Sequence, residues 1–278
     1  MTWWCSARGT AWDWTWQAYP GVWLFIGLLA VGYLALAHRA AAAGDDPVDG
    51  RRRATFFGGL AILWLALDWP IGALGAGYLA SVHMVQFLMI ALLAPPLMLM
   101  GLPRGVYTRL GERRRAVAAL RFVTHPLIAL AVFGVVVYWT HLPGVVDVLM
   151  VTQAGSFALD LVWLLGGFVF WWPVVAPVPE RPGFPAGLKM GYLFLATVIN
   201  TLPYAFLTFG DLPFYGLYEL APPVSGITTR QDQQIAGLLM KMGGGVILWT
   251  AITILFFRWF QQEDAGSTEA GSTAGGAG

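Results

Sequence analysis

The chain is dominated by long apolar runs, each about as long as a membrane-spanning helix and separated from the next by a short polar segment. An α-helix needs roughly 20 mostly apolar residues to cross the hydrocarbon core of a bilayer. The pattern therefore predicts an all-α, polytopic membrane protein with a seven-transmembrane-helix bundle. The predicted spans are at about residues 21–42, 54–75, 78–101, 124–142, 156–178, 187–209 and 234–259.

Lysine and arginine residues fall in alternate loops and so predict an orientation. The other side of the bundle holds only Arg8 and Arg230 in its loops. Because basic loops stay in the cytoplasm, we expect the N-terminus outside and the C-terminus in the cytoplasm. The basic residues on the cytoplasmic side are Arg39, Arg51, Arg52, Arg53, Arg104, Arg109, Arg113, Arg114, Arg115, Arg121, Arg181, Lys189 and Arg258.

The same patterns divide the chain into three parts. Residues 1–20 form an extracytoplasmic segment, and residues 21–263 form a single membrane domain. Residues 264–278 repeat alanine, glycine, serine and threonine without apolar periodicity, which predicts a disordered tail.

Composition agrees with a membrane protein. Hydrophobic residues make up 58% of the chain, charged residues only 11%, and the mean hydropathy is +0.65, whereas soluble domains carry about 25% charged residues. The single cysteine, Cys5, excludes an internal disulfide, and we see no cleaved signal peptide. No phosphate-binding loop lies between a strand and a helix, which argues against nucleotide chemistry. We expect the bilayer, and no nucleic acid, as a partner.

Six titratable side chains share the outer part of the predicted spans. At 1.5 Å per residue they lie in one layer roughly 10 Å thick. Ionisable residues at such depths usually face the bundle interior and pair with one another. His83 is the strongest functional candidate, and the six are Asp68, His83, His141, Asp160, Asp232 and Lys241.

Four of the other side chains also have a plain structural explanation. Asp68 can simply accept a hydrogen bond from a neighbouring helix, and His141 can be an ordinary polar contact near a helix end. Asp160 and Lys241 can form a structural ion pair. These alternatives stay open at the level of sequence.

A copper site is the candidate chemistry. His83 and His141 supply two imidazoles, and Met84 supplies a thioether, a set that suits Cu(I) because this ion accepts soft ligands. Methionine is also a common packing residue. A core role for Met84 is therefore the competing interpretation.

Five segments carry a resemblance to a known family. They are His83-Met-Val-Gln-Phe-Leu-Met-Ile-Ala-Leu-Leu-Ala-Pro-Pro-Leu, Thr140-His-Leu-Pro, Gly167-Phe-Val-Phe-Trp-Trp-Pro, Thr208-Phe-Gly-Asp-Leu-Pro-Phe-Tyr and Asp232-Gln-Gln-Ile-Ala-Gly-Leu-Leu-Met. In this order they resemble the CtaG family of cytochrome c oxidase assembly factors. The resemblance implies a multi-pass protein of the bacterial plasma membrane that assembles a caa-type oxidase. It also implies oxidase subunits as partners and no enzymatic activity.

The chain departs from the family pattern at the imidazoles. Family members usually read His-Met-x-Gln-His, but here Phe87 follows Gln86. Two further family histidines, four residues apart, correspond to Ser156 and Asp160. Because a histidine pair at i and i+4 lies on one helix face and can hold one ion, the loss of three of four imidazoles implies a degraded metal site.

Lys241 is a further departure, since it stands where the family is usually aromatic. We hypothesise that Lys241, paired with Asp160 and Asp68, replaces the charge of a lost metal ion. Such a buried pair is useful only while both partners remain.

Three functional hypotheses follow. The first is an assembly factor that supports copper insertion or subunit folding at the outer face of the membrane. The second is a metal-free accessory subunit or chaperone that kept the fold. The third is an intramembrane metal-dependent hydrolase that uses His83, His141 and an aspartate, with Ser156 near the site. It is least favoured because no general base is evident beyond Asp68 or Asp160.

Overall fold

The computed structural model describes residues 2–107, 120, 122–175, 184–199, 201–224 and 226–275, and its regular secondary structure in these ranges is helical. The helices that position the candidate site are α1 (Pro20–Ala42), α2 (Gly50–Leu67), α3 (Ile71–Gly77), α4 (Ala80–Gly101), α5 (Pro126–Thr140), α6 (Pro143–Leu149), α7 (Gln153–Val175), α8 (Ala186–Ile199), α9 (Thr201–Phe209), α10 (Gly216–Glu219) and α11 (Thr229–Gly275).

Five candidate membrane spans are present among the described residues. They are Pro20–Ala42, Ala80–Gly101, Gln153–Val175, Ala186–Phe209 and Thr229–Asp264. Two helix pairs bring the number to seven if each pair is one span: α2 with α3, bent by 45°, and α5 with α6, bent by 71°. The all-helical, membrane-spanning prediction is confirmed, and the predicted spans 54–75 and 124–142 correspond to the bent pairs.

Helix α4 lies at the centre of the bundle. In its apolar window 72% of the residues are buried, compared with 11% in the window of α1. It packs against α2, α3, α7 and α11. Most side chains on α4 therefore face other helices rather than lipid.

The middle of α4 is a π-helical segment, Leu88–Leu93, between the α-helical turns Ala80–Phe87 and Ala94–Gly101. Pro95 and Pro96 come one residue after this segment and have no backbone N–H to donate to carbonyls one turn earlier. The amide of Ala94 bonds to Met89 O, five residues back. A wider turn of this kind is a common adjustment inside otherwise α-helical segments.

The N-terminal segment is ordered against the bundle. The amide of Ala7 bonds to Met150 O at 2.9 Å, and Trp3 is tied to α7 through Gln153 Oε1 at 2.7 Å. Trp4 and Cys5 are each only 1% exposed. Residues predicted only as an extracytoplasmic segment thus contribute to the core.

The last helix, α11, continues to Gly275 in the structure, whereas the composition of 264–278 predicts disorder, and the disorder stays a prediction. The basic residues Arg109, Arg113, Arg114, Arg115, Arg121 and Arg181, which support the predicted orientation, lie outside the described residues.

Candidate functional site

Buried polar side chains meet inside the bundle around α4. We call the set formed by His83, Gln86, His141, Asp160 and Trp163 the polar core cluster. All five are at most 7% exposed. Two of the residues proposed as metal ligands and one of the proposed intramembrane carboxylates thus lie in one region.

His83 stands in the first turns of α4 and is 1% exposed. Its ring packs edge-on to Trp163, with centroids 4.9 Å apart, and lies 6.0 Å from the ring of Tyr218. Neither ring nitrogen has a hydrogen-bond partner among the described residues. Since buried polar atoms are normally paired, these nitrogens are available to a ligand.

Asp232 holds the start of α4 in place from the neighbouring helix α11. Its carboxylate accepts the amide of Ala80 at 2.6 Å and that of Ser81 at 3.3 Å. The first amides of a helix lack partners within the helix, and a carboxylate there also complements the helix dipole. Asp232 is therefore a capping residue that fixes the turn carrying His83.

His141 follows the last turn of α5 and has a defined tautomer. Its Nδ1 lies 2.7 Å from the carbonyl oxygen of Val137, and because a carbonyl only accepts, Nδ1 carries the hydrogen. Its Nε2 is buried without a partner in the described part of the chain. A histidine oriented through one nitrogen, with the other free, has the arrangement common to metal-ligating histidines.

Two aromatic neighbours support His141. Tyr215 donates its hydroxyl hydrogen to the His141 carbonyl at 3.0 Å. The indole of Trp163 donates to Thr140 Oγ1 at 3.0 Å, and its ring lies 6.4 Å from the His141 ring. Trp163 therefore contacts both candidate imidazoles.

Asp160 is paired inside the cluster by hydrogen bonds. Its Oδ2 accepts the indole N–H of Trp4 at 2.8 Å, and its Oδ1 accepts the side-chain amide of Gln86 at 3.2 Å. Trp4 comes from the N-terminal segment. Nothing in the sequence directly predicts this contact, although the Trp3-Trp4-Cys5 triplet is unusually apolar for a terminal segment.

Cys5 shares this environment without acting as a thiolate. Burial, with smaller contributions from the carboxylates of Asp160 and Asp68, raises the pKa of the Cys5 thiol well above its ordinary value. The thiol hydrogen is directed at Leu67 O, 3.2 Å away. Cys5 is therefore a packing residue with a protonated side chain.

The positions where the family resemblance implies histidines are filled in other ways. Phe87 packs edge-on to His141, with centroids 5.0 Å apart, and to Trp163 at 5.3 Å. Ser156 is 2% exposed, and Asp160 holds Trp4. Packed and hydrogen-bonded side chains thus occupy the three positions where the resemblance implies histidines.

Asp68 and Lys241 are not part of the polar core cluster. Asp68 accepts the indole N–H groups of Trp23 and Trp64, each at 2.8 Å, where α2 ends. Lys241 donates to Thr201 Oγ1 at 2.8 Å, and its ammonium lies 5.2 Å from the centre of the Tyr204 ring. Among the described residues no ion pair joins Lys241 to Asp160 or Asp68, so the hypothesised charge replacement is not seen.

The side chains present limit which metal sites this region can form. Within the described ranges no group of three or more His, Cys, Asp and Glu side chains can hold a metal ion. Met84 is buried in the hydrophobic core. The cluster supplies two imidazoles, the unpaired ring of His83 and the oriented ring of His141. Two imidazoles alone cannot form a structural zinc site, which needs four ligands.

One comparison with known proteins is informative. The family model described as "Cytochrome c oxidase caa3 assembly factor (Caa3_CtaG)" matches residues 31–262. No curated protein and no solved structure matches the chain. The matched residues include every member of the polar core cluster and the capping residue Asp232.

Proposed function

The chain belongs to the family of cytochrome c oxidase caa3 assembly factors, and from this membership we propose that it supports biogenesis of a haem-copper oxidase in a bacterial plasma membrane. The observation that carries the proposal is the continuous match over residues 31–262, which includes α2 to α10 whole. The role is non-catalytic: the chain acts on oxidase subunits during their assembly.

We further propose that the polar core cluster works near the outer face. Counting each bent helix pair as one span gives seven crossings, an odd number that puts the termini on opposite sides. The arrangement of basic residues favours a cytoplasmic C-terminus. The cluster lies at the end of the bundle where the N-terminal segment packs, and that end is then the outer one.

Within this role, copper is the proposed cargo. The unpaired nitrogens of His83 and the free Nε2 of His141 support it, because imidazole is a good ligand for copper and both rings contact Trp163. His141 is held by Val137 O so that Nε2 is the ligating atom. Two imidazoles fit a monovalent ion bound for transfer better than a permanent multi-ligand centre.

A metal-free chaperone or accessory subunit is the second candidate function. It is favoured by the packing of Phe87 against His141 and by the hydrogen bonds that Asp160 makes with Trp4 and Gln86. In this case the two histidines are part of the packed core. Partner recognition then resides on the surface of the bundle.

The proposed assembly role predicts loss of oxidase on deletion. Removing the gene should lower the amount of assembled haem-copper oxidase in membranes by at least about tenfold, and the full-length chain should restore it. The readouts are the reduced-minus-oxidised haem spectrum and oxygen consumption with a c-type electron donor. Unchanged oxidase in the deletion strain would contradict the proposal.

The copper proposal predicts about one Cu(I) per purified chain after loading under reducing conditions. His83→Ala and His141→Ala should each lose this copper, whereas His125→Ala should keep it, because the His125 side chain makes no capping bond at the start of α5. The copper content is measured by inductively coupled plasma mass spectrometry. If the wild-type chain binds no copper, although the oxidase of its strain depends on this chain, the metal-free chaperone or accessory subunit is the correct function.

A further inference from the structure

Lys241 is a charged residue inside an apolar helix segment. Between Ile235 and Phe257 it is the single charged side chain in the sequence. It lies six residues after Ile235, about 9 Å along the helix. A cation at such a depth is costly unless it is paired, and it generally marks a functional contact.

Among the residues that the structure describes, Lys241 has no counter-ion for its charge. An ammonium group has three N–H donors. One is directed at Thr201 Oγ1, and the ring face of Tyr204 gives further electrostatic support. No carboxylate among the described residues forms an ion pair with it, and the intramembrane acids Asp160 and Asp232 accept hydrogen bonds from other groups.

Lys241 borders an exposed stripe on α11. Leu238, Met242 and Trp249 are about half exposed or more, at 49%, 64% and 51%. They lie at a spacing of four and seven residues, so they share one helix face with Gly245 between them. A Cβ atom on Gly245 would meet nothing within 4 Å, which shows that this face is open.

We propose that Lys241 and this stripe are the docking site for a transmembrane helix of an oxidase subunit that carries an aspartate or glutamate at the matching depth. The stripe supplies apolar contact, Gly245 permits close approach of the two helices, and the carboxylate completes the pairing of the ammonium. This inference rests on the proposed assembly role, because that role supplies the partner.

The depth of the ammonium favours a helix over a lipid headgroup. The ammonium of Lys241 is bound to Thr201. Thr201 lies eight residues before Phe209, where α9 ends, and so about 12 Å below that end. Phospholipid phosphates lie outside the hydrocarbon core. A carboxylate on a packed helix can be placed at this depth.

The test is co-purification of the tagged full-length chain with the haem-containing oxidase subunit from native membranes. Lys241→Met should lower the captured subunit at least about tenfold, and Lys241→Arg should retain it. Gly245→Leu should block capture sterically without disturbing the fold. Its matched control is Gly27→Leu on α1, where a Cβ also meets nothing within 4 Å.

Charge reversal identifies the partner group. Lys241→Glu should abolish capture, and one aspartate or glutamate changed to lysine in a transmembrane helix of the oxidase subunit should restore it. If the wild-type chain captures the subunit and Lys241→Met and Gly245→Leu capture it equally, the docking site is wrong while the assembly role stands. If the wild-type chain captures none and its deletion leaves the oxidase intact, both fail.

A lipid occupant gives a different result. Native mass spectrometry of the purified chain with phosphatidylglycerol would then show lipid bound to the wild type and lost in Lys241→Met, with oxidase capture unchanged. That outcome overturns the proposal. Each variant is first compared with the wild type by its thermal midpoint in detergent, so that a folding defect is recognised.

Discussion

Asp160→Ala should destabilise the protein by about 2–5 kcal/mol, because it leaves two buried donors without an acceptor. Those donors are the indole N–H of Trp4 and the side-chain amide of Gln86. The substitution would also remove one of the bonds that hold the N-terminal segment against the bundle. The measurement is the thermal unfolding midpoint of the purified protein in detergent.

Asp160→Asn should cost much less, under about 1 kcal/mol. Its amide oxygen can still accept the Trp4 indole hydrogen. Its amide nitrogen can donate to Oε1 of Gln86, an atom that has no partner among the described residues, once the Gln86 amide rotates. Equal losses for alanine and asparagine would show that the charge of Asp160, rather than its hydrogen bonds, stabilises the bundle.

Two controls separate this network from nonspecific effects. Trp4→Phe removes one of the two donors, so its cost should not add fully to that of Asp160→Ala in the double variant. Asp211→Asn changes an exposed carboxylate that pairs with exposed Arg230 at 2.8 Å, and it should shift the midpoint very little.

The sequence predicts the fold well because membrane spans are encoded locally. A run of about 20 apolar residues is visible in any one segment, and its length alone predicts a helix. Bends are harder to predict. Pro70 and Pro143 mark the places where α2 ends before α3 and α5 ends before α6, but the angles of 45° and 71° depend on packing with other helices.

The sequence predicts which residues form the candidate site, but it predicts only part of the contacts among them. His83, His141 and Asp160 do lie near one another around Trp163 and Gln86, as expected from their shared depth. Lys241, at a similar depth, faces α9 instead. Depth follows from position along a helix, whereas the direction of a side chain around the helix also requires knowledge of which neighbours pack there.

The partner of Asp160 could not be predicted, because Trp4 comes from a segment without helical periodicity and lies 156 residues away in the chain. The same contact involves one of the positions where the family resemblance implies a histidine. Trp4 and Phe87 add aromatic volume, and Asp160 is hydrogen-bonded by two neutral donors rather than paired with a cation. A family member can thus keep its fold while the donor set at its centre changes.

Gly167→Ala is the second substitution with a large expected effect, a loss of about 3 kcal/mol. A Cβ on Gly167 would lie 2.4 Å from the backbone oxygen of Ala91 and 2.7 Å from Pro95 Cγ. Ala91 O belongs to the π-helical segment, and Pro95, four residues later, has no N–H to donate to it. Neither the backbone nor the proline ring can move aside, so α7 would have to separate from α4.

Gly166 provides the matched control one residue earlier on the same helix. The three atoms nearest to a Cβ there would all belong to the side chain of Val136, at 3.2 to 3.5 Å, and that side chain can adjust by a few tenths of an ångström. Gly166→Ala should be close to neutral, since the gain in helix propensity, up to about 1 kcal/mol, offsets the adjustment. The thermal midpoints of the two variants in detergent give the comparison. Gly167 lets α7 approach α4, the helix that carries His83. Gly167→Ala should therefore also lose oxidase assembly when it is tested by complementation of the deletion strain, whereas Gly166→Ala should support assembly fully. Equal behaviour of the two variants would contradict the close approach of α4 and α7.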